Sequence, residues 1–254
     1  MPAAYERYLV PAVFRPFADD LAARVGALRP RRVLELAAGT GVLTSGLLAA
    51  VPSAEVVATD LNEAMVAFGS ARVPGAVWRQ ADAERLPFSD GGFDVVVCQF
   101  GVMFFPDRVA AYREVRRVLA PGGRFLFNTW GPLDTHGFGE ALQAGLERAF
   151  AVDPPQFLRT VPHGYGDPSV VAADLAAAGF TVEEGLELTL EGRAASAADV
   201  ATGFLGGTPV RAAVEQRGDD VAAVRATVIE EMTARLGPGP VSAPMTAYVF
   251  LGAV

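Results

Sequence analysis

Residues 33–43 read VLELAAGTGVL. An apolar run takes in one carboxylate, Glu35, then breaks into Ala37, Ala38, Gly39, Thr40 and Gly41 before turning apolar again. An apolar run closed by turn residues reads as a buried strand, and the pattern from Val42 onward reads as a helix. The stretch is therefore a strand–turn–helix unit. Glycine has no Cβ, so its turn lets backbone approach a ligand, and the unbonded N–H groups of the helix start face the same space.

The alternation repeats outward. Strand-like runs lie at 31–36, 55–59, 76–80, 93–100 and 124–129, and helical patterns at 42–50, 62–72 and in AAYREVRRVLA, where Val115, Val118 and Leu119 share a face. Apolar strands separated by helices predict an α/β fold, a mostly parallel Rossmann-like sheet with helices on both faces. After Trp130 the rhythm changes. Helices are expected at 138–150 and 168–178, the second stopped by Gly179, then a strand at 180–190, helical sequence over 194–236 and a final strand at 245–251. The reading is one domain over 1–254: a cofactor core at about 30–130, lid insertions at about 131–167 and 194–240, and antiparallel closing strands at about 180–190 and 245–252.

The chain has 254 residues, enough for a substantial core, and 51% are hydrophobic. No run reaches the ~20 apolar residues a membrane helix needs, and MPAAYERYLVPAVF lacks a signal-peptide pattern, so a cytoplasmic protein without membrane insertion is expected. The single cysteine, Cys98 in FDVVVCQF, reads as a buried strand residue and excludes an internal disulfide or a cysteine-rich metal site; no metal is expected. The net charge is −8 and the chain contains no lysine. Schiff-base chemistry and a P-loop lysine are thereby excluded, and a nucleic-acid partner is not expected of an acidic chain without basic clusters. The oligomeric state stays open between monomer and homodimer.

Three strand ends carry the chemistry. Asp60 ends the second strand 19 positions after Gly41, the separation at which a carboxylate accepts from a ribose diol. A dinucleotide fingerprint would place a third glycine at position 44, where this chain has Thr44. Glu35, just ahead of the turn, repels phosphate and favours an ammonium group. Asp82 and Ala83, at the end of the third strand, can read the edge of an adenine through a carboxylate and a backbone N–H. The expected ligand carries an amine, a sugar and a purine, and needs no phosphate.

VLELAAGTG, ATDLNEAM, ADAERLPF, FDVVVCQFGVMFFPD and VLAPGGRFLF, taken in order over about residues 30–130, resemble the class I S-adenosylmethionine-dependent methyltransferases. The closest likeness is to the small-molecule branch that includes the ubiquinone and menaquinone biosynthesis enzymes. The chain departs from the usual pattern at Ala37, where many members have glycine. The resemblance implies a seven-stranded sheet with the last strand inserted antiparallel, and S-adenosylmethionine as cofactor, leaving as S-adenosylhomocysteine. It implies that Glu35, Ala37, Gly39, Thr40 and Gly41 surround the methionine part and that Asp60 holds the ribose. Leu61 and Met65 would flank the adenine, with Asp82 and Ala83 at its edge and Gln99 and Phe100 near the sulfonium. Tyr5 and Arg7 are expected in a segment closing over the cofactor.

The expected reaction is direct displacement of the sulfonium methyl by a small, fairly apolar acceptor. Met103 and Phe104 beyond the fourth strand and Asn128 and Trp130 beyond the fifth are its expected pocket, with Phe105, Phe138, Phe204 and Leu205 as further contributors. The general-base candidates are the two histidines, His136 and His163, each weighed against a loop-anchoring role; Asp134 and Tyr165 stand behind them. Two other readings stay open: a nicotinamide oxidoreductase, and a protein that binds S-adenosylmethionine without methylating.

Overall fold

The computed structural model describes residues 2–150, 152–217 and 220–254. Ala151, Gly218 and Asp219, inside the expected insertions, lie outside the described residues. In chain order the elements begin with α1 (Pro2–Ala4), a wide π-helical stretch (Tyr5–Phe14), α2 (Arg15–Leu28), β1 (Arg32–Leu36), α3 (Val42–Ala50) and β2 (Glu55–Asp60). They continue with α4 (Glu63–Arg72), β3 (Val77–Gln80), β4 (Phe93–Gln99), α5 (Arg108–Val118), β5 (Leu119–Trp130) and α6 (Gly137–Ala149). The chain closes through α7 (Phe157–Thr160), α8 (Pro168–Ala177), β6 (Thr181–Ala194), α9 (Ala197–Gly207), α10 (Val210–Glu215), α11 (Val221–Leu236) and β7 (Val241–Ala253).

Among the described residues seven strands form one sheet in the order β3-β2-β1-β4-β5-β7-β6. β1 pairs in parallel with both β2 and β4, β2 with β3, and β4 with β5, whereas β7 runs antiparallel to β5 and β6. This is the expected α/β arrangement. β1 is apolar and buried after Arg32 because it is central and covered on both faces. Its start is fixed by Asp94, whose carboxylate accepts the Arg31 and Arg32 N–H groups at 2.7 and 2.9 Å. Strand order reverses between β1 and β4, the kind of position beyond whose C-terminal strand ends such sheets bind ligands.

The chain separates into two compact units. One comprises 17–130, 165–188 and 247–254 and holds the five parallel strands. Its core includes an aromatic cluster in which Tyr112 of α5 meets Phe125 and Phe127 of β5, and Phe127 stacks on Phe250 of β7. The other comprises residues up to Pro16, 131–164 and 189–246. There α6 packs on α11, and α9 packs on both α11 and the π-helical stretch.

The structure differs from the sequence expectation at the N-terminal segment and in the length of the closing strands. Residues 2–28 are helical, a segment the strand–helix rhythm did not assign. Pro11 accounts for its wide turns: proline lacks the N–H of a regular helix, and the Arg15 N–H reaches back five residues to Val10 O. Residues 194–236, expected to be helical, hold α9, α10 and α11 among the described residues, with Gly206-Gly207-Thr208-Pro209 stopping α9. β6 and β7 extend beyond the expected strands.

Candidate active site

The turn after β1 is held from below. Glu35 is 1% exposed, and the Thr44 hydroxyl donates to its Oε2 at 2.6 Å. Burial, with Asp60 adding repulsion, pushes the Glu35 carboxyl up to about 8. The turn is also tied sideways to β2: Thr59 Oγ1 donates to Glu35 O at 2.8 Å, and Ala38 N to Thr59 O at 2.9 Å. Sequence reading treated Thr44 only as a missing glycine, yet it is the residue that satisfies the buried carboxylate.

Ala37, Gly39 and Gly41 all have positive φ, at +51°, +57° and +87°. At Gly41 a Cβ would also crowd Trp78 and Val73 at 3.1 Å, whereas at Gly39 it would meet nothing within 4 Å. The backbone of Gly39 therefore faces open space, and next to it the buried Thr40 hydroxyl has no partner among the described residues. Asp60 finishes β2 beside this space. Its Oδ2 accepts the Gly39 N–H at 2.9 Å and its Oδ1 the Asn62 N–H at 2.8 Å. Burial raises its pKa. A carboxylate offers about four acceptor positions, so capacity remains for two hydroxyl donors.

Leu61 is 67% exposed beside Asp60, with Met65 half-buried one turn further on. Asp82 is exposed beyond β3, and its Oδ1 accepts the Glu84 N–H at 2.9 Å in a tight turn that contains half-buried Ala83. Gln99 is half-buried at the last position of β4. The structure thus brings Glu35, Ala37, Gly39, Thr40, Gly41, Asp60, Leu61, Met65, Asp82, Ala83, Gln99 and Phe100 to the C-terminal ends of β1–β4. An exposed apolar side chain, an open glycine, an orphaned buried hydroxyl and a carboxylate with spare acceptor capacity fit a ligand with a base, a polar chain and a sugar diol.

Beyond β4 the chain turns sharply. Phe100 has φ +50°, and its N–H donates to Asn128 Oδ1 of β5 at 2.9 Å. Its ring lies on Trp130 with centroids 3.6 Å apart and planes at 8°, and Phe17 of α2 meets both edge-on. A Cβ at Gly101 would come within 2.6 Å of both Ala37 Cβ and Cys98 Sγ, so the β1 and β4 turns pack against each other. Cys98 is buried, and its sulfur accepts the Gly101 and Val102 N–H groups; burial raises its pKa. Met103 is buried, whereas Phe104 is 47% exposed. Nothing in the sequence pattern pointed to Phe17 or Gly101.

In the other unit, His136 is buried and caps α6, its Nδ1 accepting the Gly139 N–H at 3.0 Å. His163 Nδ1 lies 2.8 Å from Gly131 O; a carbonyl only accepts, so this nitrogen carries the proton. Burial lowers His136 to about 3 and His163 to about 4, so both are neutral near pH 7. Tyr5 stacks on Phe14, and Arg7 lies over Tyr8. Phe138, Phe204 and Leu205 are buried. Tyr165, in the sheet-bearing unit, is buried and donates to Asp174 at 2.7 Å. Among the described residues no cluster of three or more His, Cys, Asp or Glu side chains is placed to hold a metal ion, and no helix is long and apolar enough to cross a membrane.

Residues 34–127 match the methyltransferase domain family. Over 166 residues, 60% of this chain and 76% of the relative, the chain is 35% identical to the demethylmenaquinone methyltransferase of Thermus thermophilus. It is 41% identical over 143 residues to the malonyl-[acyl-carrier protein] O-methyltransferase of Halorhodospira halophila, covering 53% of this chain and 48% of that one. The solved structure of YcgJ from Bacillus subtilis shares the fold, with TM-score 0.58 and 21% identity over 94% of this chain and 98% of YcgJ. The order of the sheet, the tied turn after β1 and these relatives agree: the chain belongs to the class I S-adenosylmethionine-dependent methyltransferases.

Proposed function

We propose that S-adenosylmethionine is held at the C-terminal ends of β1–β4 and that the acceptor approaches beyond β4 and β5. The observation that carries this reading is Asp60, which is tied to the Gly39 N–H while the space over Gly39 stays open. Asp60 accepts the ribose hydroxyls, Leu61 and Met65 cover the adenine, and Asp82 and Ala83 line its edge. Glu35, Ala37, Gly39, Thr40 and Gly41 enclose the methionine part, and Gln99 and Phe100 lie toward the sulfonium. The cofactor supplies an activated methyl on a sulfonium, so the main task of the chain's own residues is to align the acceptor and exclude water.

Phe104, Trp130, Met103 and Asn128 are the acceptor-side residues, and they favour a small, fairly apolar acceptor. A quinone ring, of the kind named for the Thermus relative, is the first candidate; a malonyl thioester, of the kind named for the Halorhodospira relative, is the second. Of the histidines, His163 is the candidate base. Its Nδ1–H is committed to Gly131 O, which leaves Nε2 as the basic nitrogen. His136 would lose the α6 cap on taking a proton at Nδ1. The chain works as one methyltransferase domain with lid insertions at about 131–167 and 194–240. It acts in the cytoplasm, on a small molecule rather than on nucleic acid.

Two measurements test this. Asp60→Ala should weaken S-adenosylhomocysteine binding by about 100-fold or more by calorimetry while the chain still melts cooperatively. Unchanged affinity would show the ribose assignment to be wrong. Labelled-methyl transfer should be detected to 1,4-dihydroxynaphthalene or to malonyl-N-acetylcysteamine. A panel extended with tryptamine and thiophenol reads which atom accepts.

A further inference from the structure

Asn128 is wholly buried at the C-terminal end of β5, beside Gln99 of β4 in the sheet register. Its two amide ends have different fates. Oδ1 accepts the Phe100 N–H, whereas Nδ2 is buried and has no hydrogen-bond partner among the described residues. Buried polar atoms are paired in nearly all native structures, so an orphaned donor calls for a reason. Holding the Phe100 N–H needs only an acceptor, so it does not explain the amide nitrogen.

The residue that Asn128 holds is itself kept in place at a cost. Phe100 is a non-glycine residue in the left-handed region, a conformation that persists only where the surroundings impose it and that clusters at ligand sites. Its ring sits face to face on Trp130 at 3.6 Å, closer and flatter than the offset pairs at about 4.5–7 Å that aromatic rings favour. A strained residue bonded to the Asn128 amide, its ring stacked flat on Trp130, therefore accompanies the unsatisfied donor.

We propose that Asn128 is a specificity-determining residue whose Nδ2 donates to an oxygen of the acceptor once Phe100 turns away from Trp130, so that the enzyme takes a planar acceptor bearing oxygen beside the reacting atom. The inference rests on the acceptor lying beyond β4 and β5, as proposed above, and it adds the atom that the site recognises. The amide also orients: with Oδ1 fixed by Phe100, Nδ2 has one direction. A site built to hydrogen-bond a substrate group discriminates strongly against analogues that lack it.

Two variants and the four-member acceptor panel test it. Asn128→Asp keeps an acceptor for the Phe100 N–H but donates only while protonated. Its kcat/KM for the oxygen-bearing acceptor should approach wild type at about pH 6 and fall about 10- to 100-fold below it as the carboxyl ionises toward about pH 9. Asn128→Leu should be impaired at every pH. Asn128→Asp, which keeps the acceptor for the Phe100 N–H, should bind S-adenosylhomocysteine within about threefold of wild type, since the donor serves the acceptor. An Asp variant that tracks wild type across the pH range, or a fully active Leu variant, would overturn the proposal. A wild-type enzyme that methylates only tryptamine or thiophenol overturns the Asn128 assignment and leaves the acceptor's position standing. Wild-type inertness toward all four overturns both.

Discussion

Glu35 illustrates how a single residue sets a condition for the whole site. In the ligand-free fold its carboxyl holds its proton up to about pH 8, against 4.5 in the open chain. Between those values the unfolded chain has released a proton that the folded chain retains, so stability falls as pH rises through that window. For an isolated group the loss amounts to about 4 kcal/mol by pH 8. Glu35→Gln keeps an acceptor for the Thr44 hydroxyl and removes the titration. Its melting temperature without cofactor should therefore exceed wild type at pH ~8 and match it at pH ~5, as scanning calorimetry would show; equal slopes in both proteins would refute the assignment. The acidic residue of VLELAAGTG was legible from spacing. That Thr44, nine residues on, would satisfy it was not, because the bond forms only when α3 folds back over β1.

Elements show the same division. The helix α6 was legible from its apolar period, but its cap was not: His136 sits where serine, threonine, aspartate or asparagine usually caps. The His136 and His163 rings meet edge-to-face at 5.3 Å, and burial keeps both neutral. In the unfolded chain each takes a proton below about pH 6.5. The stability these two histidines contribute is therefore fully present above that value and is lost as pH falls toward 4 for His163 and 3 for His136, about 2 kcal/mol per histidine at pH ~5. His136→Asn keeps a capping oxygen, and its acid limb should be shallower than wild type in urea titrations repeated at several pH values. An unaltered limb would place the acid sensitivity elsewhere. The edge strand β6 was recognised, though not its full length. It is exposed along much of its course, and Glu183 and Glu184 pair with Arg124 and Arg24. Charged side chains on an edge discourage pairing with a second sheet.

At the scale of the molecule, ligand-free stability is squeezed from both sides, by the two histidines in acid and by Glu35 in base, so it should peak between about pH 5 and 7. S-adenosylhomocysteine at 100 times its dissociation constant should add about 2.7 kcal/mol by mass action alone. Its ammonium should also relieve the buried carboxylate, so the gain in melting temperature should grow from pH ~6 to pH ~8. A gain independent of pH would separate Glu35 from the ammonium. The sequence by itself determined the α/β class, the turn between β1 and α3, and Asp60 and Asp82 at the next strand ends, because period, glycine and spacing are local properties that parallel pairing repeats from strand to strand. Only the tertiary structure decided that Thr44 holds Glu35, that Phe100 is bent onto Trp130 by Asn128, and that His136 caps a helix. Those are contacts between residues distant in the chain or turned by the backbone into one place, and no spacing in a linear sequence encodes the direction in which a side chain will point.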